Sequence, residues 1–201
     1  MNKPIVIEAF VEDRAHEEFI RAMIHRITEE ENKQVDLYFR TARGGHGRVM
    51  HEFKVYQKLI SKDPKTIFEK PDLFLVAIDG NCKDYLTAKR EIEEEIAEEY
   101  KDRAIIACPD PHIERWFLAD PPSFFRVVGL EPALGRKKCE RDHYKNILSS
   151  VIIKAGHPAT LGGLEFAREL VAQMDLYQAG KTEPSLGHFL EETRRRFRSI
   201  R

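Results

Sequence analysis

Residues 71–79, PDLFLVAID, set six consecutive apolar side chains, Leu73 to Ile78, between two aspartates. A segment this short and apolar at every position is a strand covered on both faces, the situation of strands in a parallel sheet with helices above and below. Three more β-rich runs accompany it: IVIEAFV at 5–11, QVDLYFR at 34–40 and RAIIAC at 103–108. Helical periodicity fills the intervals between them. Phe19, Met23, Ile24 and Ile27 share one face, Phe53, Tyr56, Leu59 and Ile60 a second, and Leu86, Ile92, Ile96 and Tyr100 form the inward stripe of a long charged helix, DYLTAKREIEEEIAEEY. Four strand and helix units in succession predict an α/β fold with a mainly parallel sheet, helices on both faces and right-handed crossovers. From Gly129 onward the segments RDHYKNILSSVIIK, GGLEFARELVAQMDLY and SLGHFLEETRRRF read as separate amphipathic helices. The expected division is an α/β core over 1–128 and a helical extension packed on it over 129–201.

Open α/β sheets bind ligands at the carboxyl ends of their strands. Three acids stand there: Glu12 after the first run, Asp79 after the third and Glu114 just beyond the fourth. Clustered carboxylates suit hard divalent cations such as Mg²⁺ or Mn²⁺. Each also has a structural reading. Glu12, or its neighbour Asp13, can cap the helix that follows; Asn81 and Asp84 can add oxygen ligands or serve as ordinary turn residues in DGNCKD. Glu114 lies in PDPHIERWFLADP, where Ile113, Trp116, Phe117 and Leu118 would pin a short helix to the sheet and hold the carboxylate in one direction. His112 is read as a helix-start residue supporting that acid rather than as a ligand. His112 and Glu114 spell the start of a zinc deaminase signature, but its downstream P-C-x-x-C is missing.

Phosphate contacts are expected from the loop TARGGHGR, through backbone amides, Arg43 and Arg48, and from Lys137 and Lys138 in GRKKCERDHYK. The loop lacks the G-K-[ST] of a P-loop, so nucleotide hydrolysis of that type is not supported. Thirty-three basic and 34 acidic side chains nearly cancel, so overall charge points to no polyanionic partner. The apolar runs are too short to cross a membrane. MNKPIVIEAF enters a run interrupted by Glu8 with no small-residue cleavage site, so a cytoplasmic location is expected. Cys82, Cys108 and Cys139 have no paired spacing, and free, buried or half-buried thiols are expected.

The ordered set, a glutamate at the first strand end, D-x-N at the third and P-H-x-E-x-W-F-L-A-D after the fourth, resembles the Toprim superfamily. It is similar to the small stand-alone Toprim-like proteins related to the nuclease domain of OLD (overcoming lysogenization defect) enzymes. The resemblance extends to ELVAQMDLY and SLGHFLEE near the C-terminus. It implies a Toprim-like fold and a metal-dependent nuclease acting on DNA or RNA, with Glu12 as general acid or base and metal ligand, Asp79 as metal ligand and Glu114 as the later acidic ligand. Many members of that group carry Glu-Gly and Asp-x-Asp where this chain has Glu12-Asp13 and Asp79-Gly80-Asn81. An amide at Asn81 still offers an oxygen, but removes one negative charge from the ion. The resemblance further implies an SMC-like or ABC-type ATPase partner and a role in phage defence.

The expected reaction is therefore phosphodiester hydrolysis with Mg²⁺ or Mn²⁺ at Glu12, Asp79, Asn81 and Glu114, with Arg43, Arg48 or Lys137 steadying the developing charge. Two alternatives stand beside it. One is a catalytically weak or inactive Toprim-like regulatory partner of an ATPase. The other is a receiver-type signalling module phosphorylated on Asp79, which lacks the small hydroxyl residue after the fourth strand and the lysine after a fifth.

Overall fold

Every residue of Ile5–Val11 (β1), Leu73–Ala77 (β3) and Ala104–Ala107 (β4) is buried, whereas all seven residues of Val35–Thr41 (β2) keep some exposure. The sheet order β2-β1-β3-β4, parallel throughout, puts β2 and β4 at the edges. These elements belong to a computed structural model that describes residues 3–42, 44–62, 70–135, 137, 139–140 and 142–200. Strand alternation sorts the side chains onto two faces. Ile7, Ala9 and Val11 join Leu75 and Ala77 in one core, while Phe10 joins Phe74 and Val76 in the other.

The first core is closed by Arg14–Glu30 (α1) through Phe19, Ile20, Met23, Ile24 and Ile27. The second is closed by His46–Lys62 (α2) and Tyr85–Glu94 (α3). Glu114–Phe117 (α4), Pro121–Val128 (α5), His143–Lys154 (α6), Ala167–Gln173 (α7), Leu176–Thr182 (α8) and Pro184–Ser199 (α9) all add to the α1 side. The helical extension thus shares the α1 core. The chain is α/β, with a parallel sheet covered on both faces and a helical C-terminal part, consistent with a Toprim-like arrangement.

Three local expectations need correction. The long charged helix stops at Glu94 and resumes as a 3₁₀ turn over Glu98–Arg103. Buried Gln57 of α2 causes the break: its amide donates to the Glu95 carbonyl at 3.1 Å and accepts from Ala97 N–H at 2.8 Å, satisfying the backbone a helix end leaves open. Leu86 and Leu59, expected on inward stripes, are exposed, since Ala88 and Ile92 on α3 and Phe53, Tyr56 and Ile60 on α2 already cover the sheet. The segment expected as one helix from Gly162 divides at Asp175, which caps α8 by accepting from Tyr177 and Gln178 N–H.

The cysteines also differ from expectation. Cys108 is buried and free, but Cys82 and Cys139 are exposed and paired as a disulfide, with Cα atoms 4.7 Å apart. Their proximity comes from two loops meeting in space, which spacing along the chain does not encode. Among the described residues, no helix is long and apolar enough to cross a membrane.

Candidate functional site at the carboxyl ends of β1 and β3

After β1 the chain continues to β2 on one side, and later strands fill the other, so the topology switches between β1 and β3. A crevice opens outside the strand ends at such a point. Glu12 and Asp79 stand on its two sides. Glu12 N–H still pairs with the Ala77 carbonyl at 3.1 Å, and its Oε2 accepts from Asp79 N–H at 3.2 Å. The cap role falls to Asp13, whose carboxylate accepts from His16 N–H at 3.1 Å, leaving Glu12 to face the crevice.

Gly80 allows Asp79 to sit so close to the next loop. Its N–H donates to the Pro109 carbonyl at 2.8 Å, and a Cβ there would approach that oxygen to 3.0 Å. Asp79 is then held from three directions. Ile113 N–H donates to Oδ1 at 2.8 Å, His112 Nδ1 lies 3.2 Å from Oδ2, and His16 Nε2 makes an ion-pair contact with Oδ1 at 3.1 Å, without hydrogen-bond geometry. Through Ile113, Asp79 also fixes the start of α4 and with it Glu114. Trp116 and Phe117 pack against Phe19 from the same helix, so the apolar pinning expected for Glu114 is present.

His16 is the residue that sequence reasoning missed. It is fully buried, with Nδ1 at 2.8 Å from Asp13 and Nε2 against Asp79. The available signal is its place three and four residues before Phe19 and Ile20, on the apolar face of α1. A polar side chain on such a face requires a partner. Burial disfavours its charge, but the Asp79 and Asp13 carboxylates outweigh that and raise its pKa well above the usual value. Burial likewise works against ionised Asp13 and Asp79; His16 brings Asp13 down to about 2 and, with His112, lowers Asp79. The hydrogen bond to Asp79 raises His112 against its own burial. Glu12 and Glu114 move the other way, raised first by burial and then by the Asp79 charge.

These shifts set a pH dependence of stability. His16, raised in the fold, contributes fully below its unfolded value of about 6.5 and loses that contribution as pH rises through its folded value. The raised Glu12 and Glu114 act in the same direction, from about 4.3 upward. Asp13 and Asp79 contribute above about 3.9 and lose it as pH falls through their lowered values. The thermal midpoint of the metal-free protein is expected to peak between about pH 4 and 6.5 and to fall toward alkaline pH. Calorimetry across pH checks this; a midpoint still climbing from neutrality to alkaline pH contradicts it.

Glu12, His16 and Asp79 bring metal-ligating atoms within 4.8 Å of one another. Both nitrogens of His16 face carboxylates, so the ring balances charge and holds Asp79 in place. Glu114 is not in that trio. It lines a cleft of about 180 Å³ with Asp13, Arg14 and Lys145, and it directly follows Ile113, whose N–H binds Asp79. Asn81 is exposed at φ 53°, and its side-chain amide donates to the Asp79 carbonyl at 3.1 Å. Asp84 caps α3 through Thr87 N–H. A wider groove of about 660 Å³ runs past Glu12, Asp13, Glu17 and Glu18, with Arg14 the one cation among its described lining residues.

The expected phosphate contacts are dispersed. Arg48 pairs with Glu52 at 2.7 Å and Lys137 with Glu140 at 2.9 Å, both exposed. Arg43 and Lys138 lie outside the described residues. No curated protein and no solved structure matches the chain. Residues 11–193 match a domain of unknown function, and the chain belongs to that family, DUF4276.

Proposed function

We propose that this protein is a metal-dependent phosphodiesterase acting on DNA or RNA, with Mg²⁺ or Mn²⁺ held by Glu12 and Asp79 and approached by Glu114. One observation carries the reading: two carboxylates meet at the switch point of a parallel sheet, and the charge of Asp79, together with burial, raises the pKa of Glu12. Carboxylates set against one another in this way are relieved by a divalent cation or by a proton. The donor set fits a hard cation, because Mg²⁺ and Mn²⁺ favour a few carboxylates together with water and phosphate oxygens. When bound, such an ion supplies a polarised phosphate and a more acidic water.

The protein's own groups do the rest. His16, His112 and Ile113 N–H fix the Asp79 carboxylate, so it presents its remaining lone pairs in one orientation. Glu12, its pKa raised by burial and by the Asp79 charge, takes up or releases a proton at its carboxylate. Arg14 and Lys145, which line the cleft with Glu114, are the cations for the substrate backbone. The acidic groove itself repels phosphate, which makes the cation a requirement for substrate approach. By the Toprim and OLD resemblance, an ATPase partner and a role in phage defence belong to the same proposal.

A second reading, a weakly active or inactive regulatory subunit, is favoured by Asn81, whose amide is engaged by the Asp79 carbonyl. Titration calorimetry with Mn²⁺, joined to cleavage assays on single- and double-stranded DNA and RNA, separates the two. Uptake lost in Glu12→Gln, with Mn²⁺-stimulated cleavage lost alongside it, is the expected result. Uptake without cleavage of any substrate favours the regulatory subunit, and no uptake sinks the metal assignment.

A further inference from the structure

The two edges of the sheet are treated differently. At β4, α9 closes the edge: Leu186, Phe189 and Phe197 enter the core, and Arg196 reaches the carbonyls of Lys101 and Asp102. At β2 nothing equivalent is found among the described residues, and all seven residues are at least partly exposed. Natural edge strands are usually guarded by proline, charged side chains, a bulge or a short length. Of these VDLYFRT carries only the charges of Asp36 and Arg40, one of each sign, and it is rich in strand-favouring residues.

The direction of its backbone groups follows from its hydrogen bonds to β1. Ile5 N–H donates to Gln34 O at 2.8 Å, and Ala42 N–H to Val11 O at 3.0 Å. Even-numbered residues of β2 therefore turn N–H and C=O toward β1, and by alternation Val35, Leu37, Phe39 and Thr41 turn theirs outward. Among the described residues no group bonds to this outer row.

We propose that the outer edge of β2 is the surface through which two copies of this chain pair, antiparallel and centred on Tyr38, into one continuous sheet. In that register Leu37 meets Phe39 of the copy and Val35 meets Thr41, each pair exchanging two backbone bonds, so the whole outer row is satisfied. A shift of one residue leaves one end of the strand unpaired. The same register sets Asp36 opposite Arg40 of the copy, on one face, and Leu37 opposite Phe39 on the other. Asp36 is exposed, with no ion pair among the described residues, and Arg40 binds Glu8 while remaining partly exposed. Opposite charges facing each other across strands stabilise the pair. Backbone pairing and charge thus select one register, and it is the self-complementary one. Tyr38, 55% exposed, meets itself on the two-fold axis.

Antiparallel pairing points the carboxyl ends of the two β1 strands in opposite directions, so each copy keeps its own site and the proposal is independent of the nuclease reading. The test uses the full chain under mild oxidation, with wild type as the control for its native cysteines. Light scattering of wild type is expected to give twice the 23.4 kDa of one chain. Tyr38→Lys, which sets like charges on the axis at an exposed position, is expected to give the single mass. Tyr38→Cys should form a disulfide-linked dimer, since opposed residues at such a pair have Cα atoms about 4.5 Å apart, within the disulfide range. Asp36→Cys should not, because four residues along the strand separate it from its own copy by about 13 Å. A monomeric wild type, a Tyr38→Cys chain that stays single, or equal linking of both cysteine variants overturns the proposal.

Discussion

Asp79→Ala is expected to lower Mn²⁺-stimulated cleavage by about a thousandfold or more, roughly 4 kcal/mol of transition-state stabilisation. The carboxylate proposed to hold the ion also accepts from Ile113 N–H and faces His16 and His112. Alanine therefore removes the proposed ligand, the anchor of α4 and the counter-charge of a fully buried imidazolium together. A loss of stability of about 3–5 kcal/mol should accompany the loss of activity, as when one partner of a buried ion pair is removed. Asp79→Asn keeps the anchor while removing the charge. Its amide oxygen still accepts from Ile113 N–H, so it should lose less stability than alanine while losing Mn²⁺ uptake and cleavage. An Asp79→Asn protein that cleaves at the wild-type rate removes Asp79 from the chemistry.

The second large effect is expected on the inner side of α4. Arg115, next to Glu114 but pointing into the protein, donates through Nε to Glu183 at 2.5 Å, and its guanidinium lies 5.2 Å from the centre of the Tyr144 ring. Both partners of the ion pair are buried. The pair joins α4 to the junction of α8 and α9, so it ties the acidic site to the helical extension. Arg115→Ala removes the guanidinium paired with the buried Glu183 carboxylate and should cost about 3–5 kcal/mol. For a chain of this length that lowers the melting temperature by about 6–20 °C. Arg115→Met combined with Glu183→Leu should recover most of the loss, because apolar replacements of similar volume avoid the desolvation of both charges. A drop of less than about 1 kcal/mol in the single variant would place the pair with exposed salt bridges instead.

Much of the scaffold was legible because its signals are local. Apolar runs marked all four strands, and helical spacing marked α1, α2, α6 and α9. Glu12 and Asp79 were legible as strand-end acids, and their meeting followed once their strands proved to be neighbours. Position alone did not separate Glu12 from Asp13; the tertiary structure assigns the cap to Asp13 and turns Glu12 inward. The early end of α3 was hidden because its cause, Gln57, lies in a different helix. Cys82 and Cys139 were hidden for the same reason, as were the two carboxylates that keep His16 charged.

The sequence by itself determined the α/β class, the parallel strands and the acids at their ends, since periodicities of two and 3.6 residues are imposed by the geometry of a single strand or helix. Only the tertiary structure decided which acids meet, that an imidazole lies between Asp13 and Asp79, and that α9 closes β4 while no group among the described residues bonds to the outer row of β2. Those outcomes depend on strand order and on packing between residues far apart in the chain, where contact energies rather than local chain geometry select the arrangement.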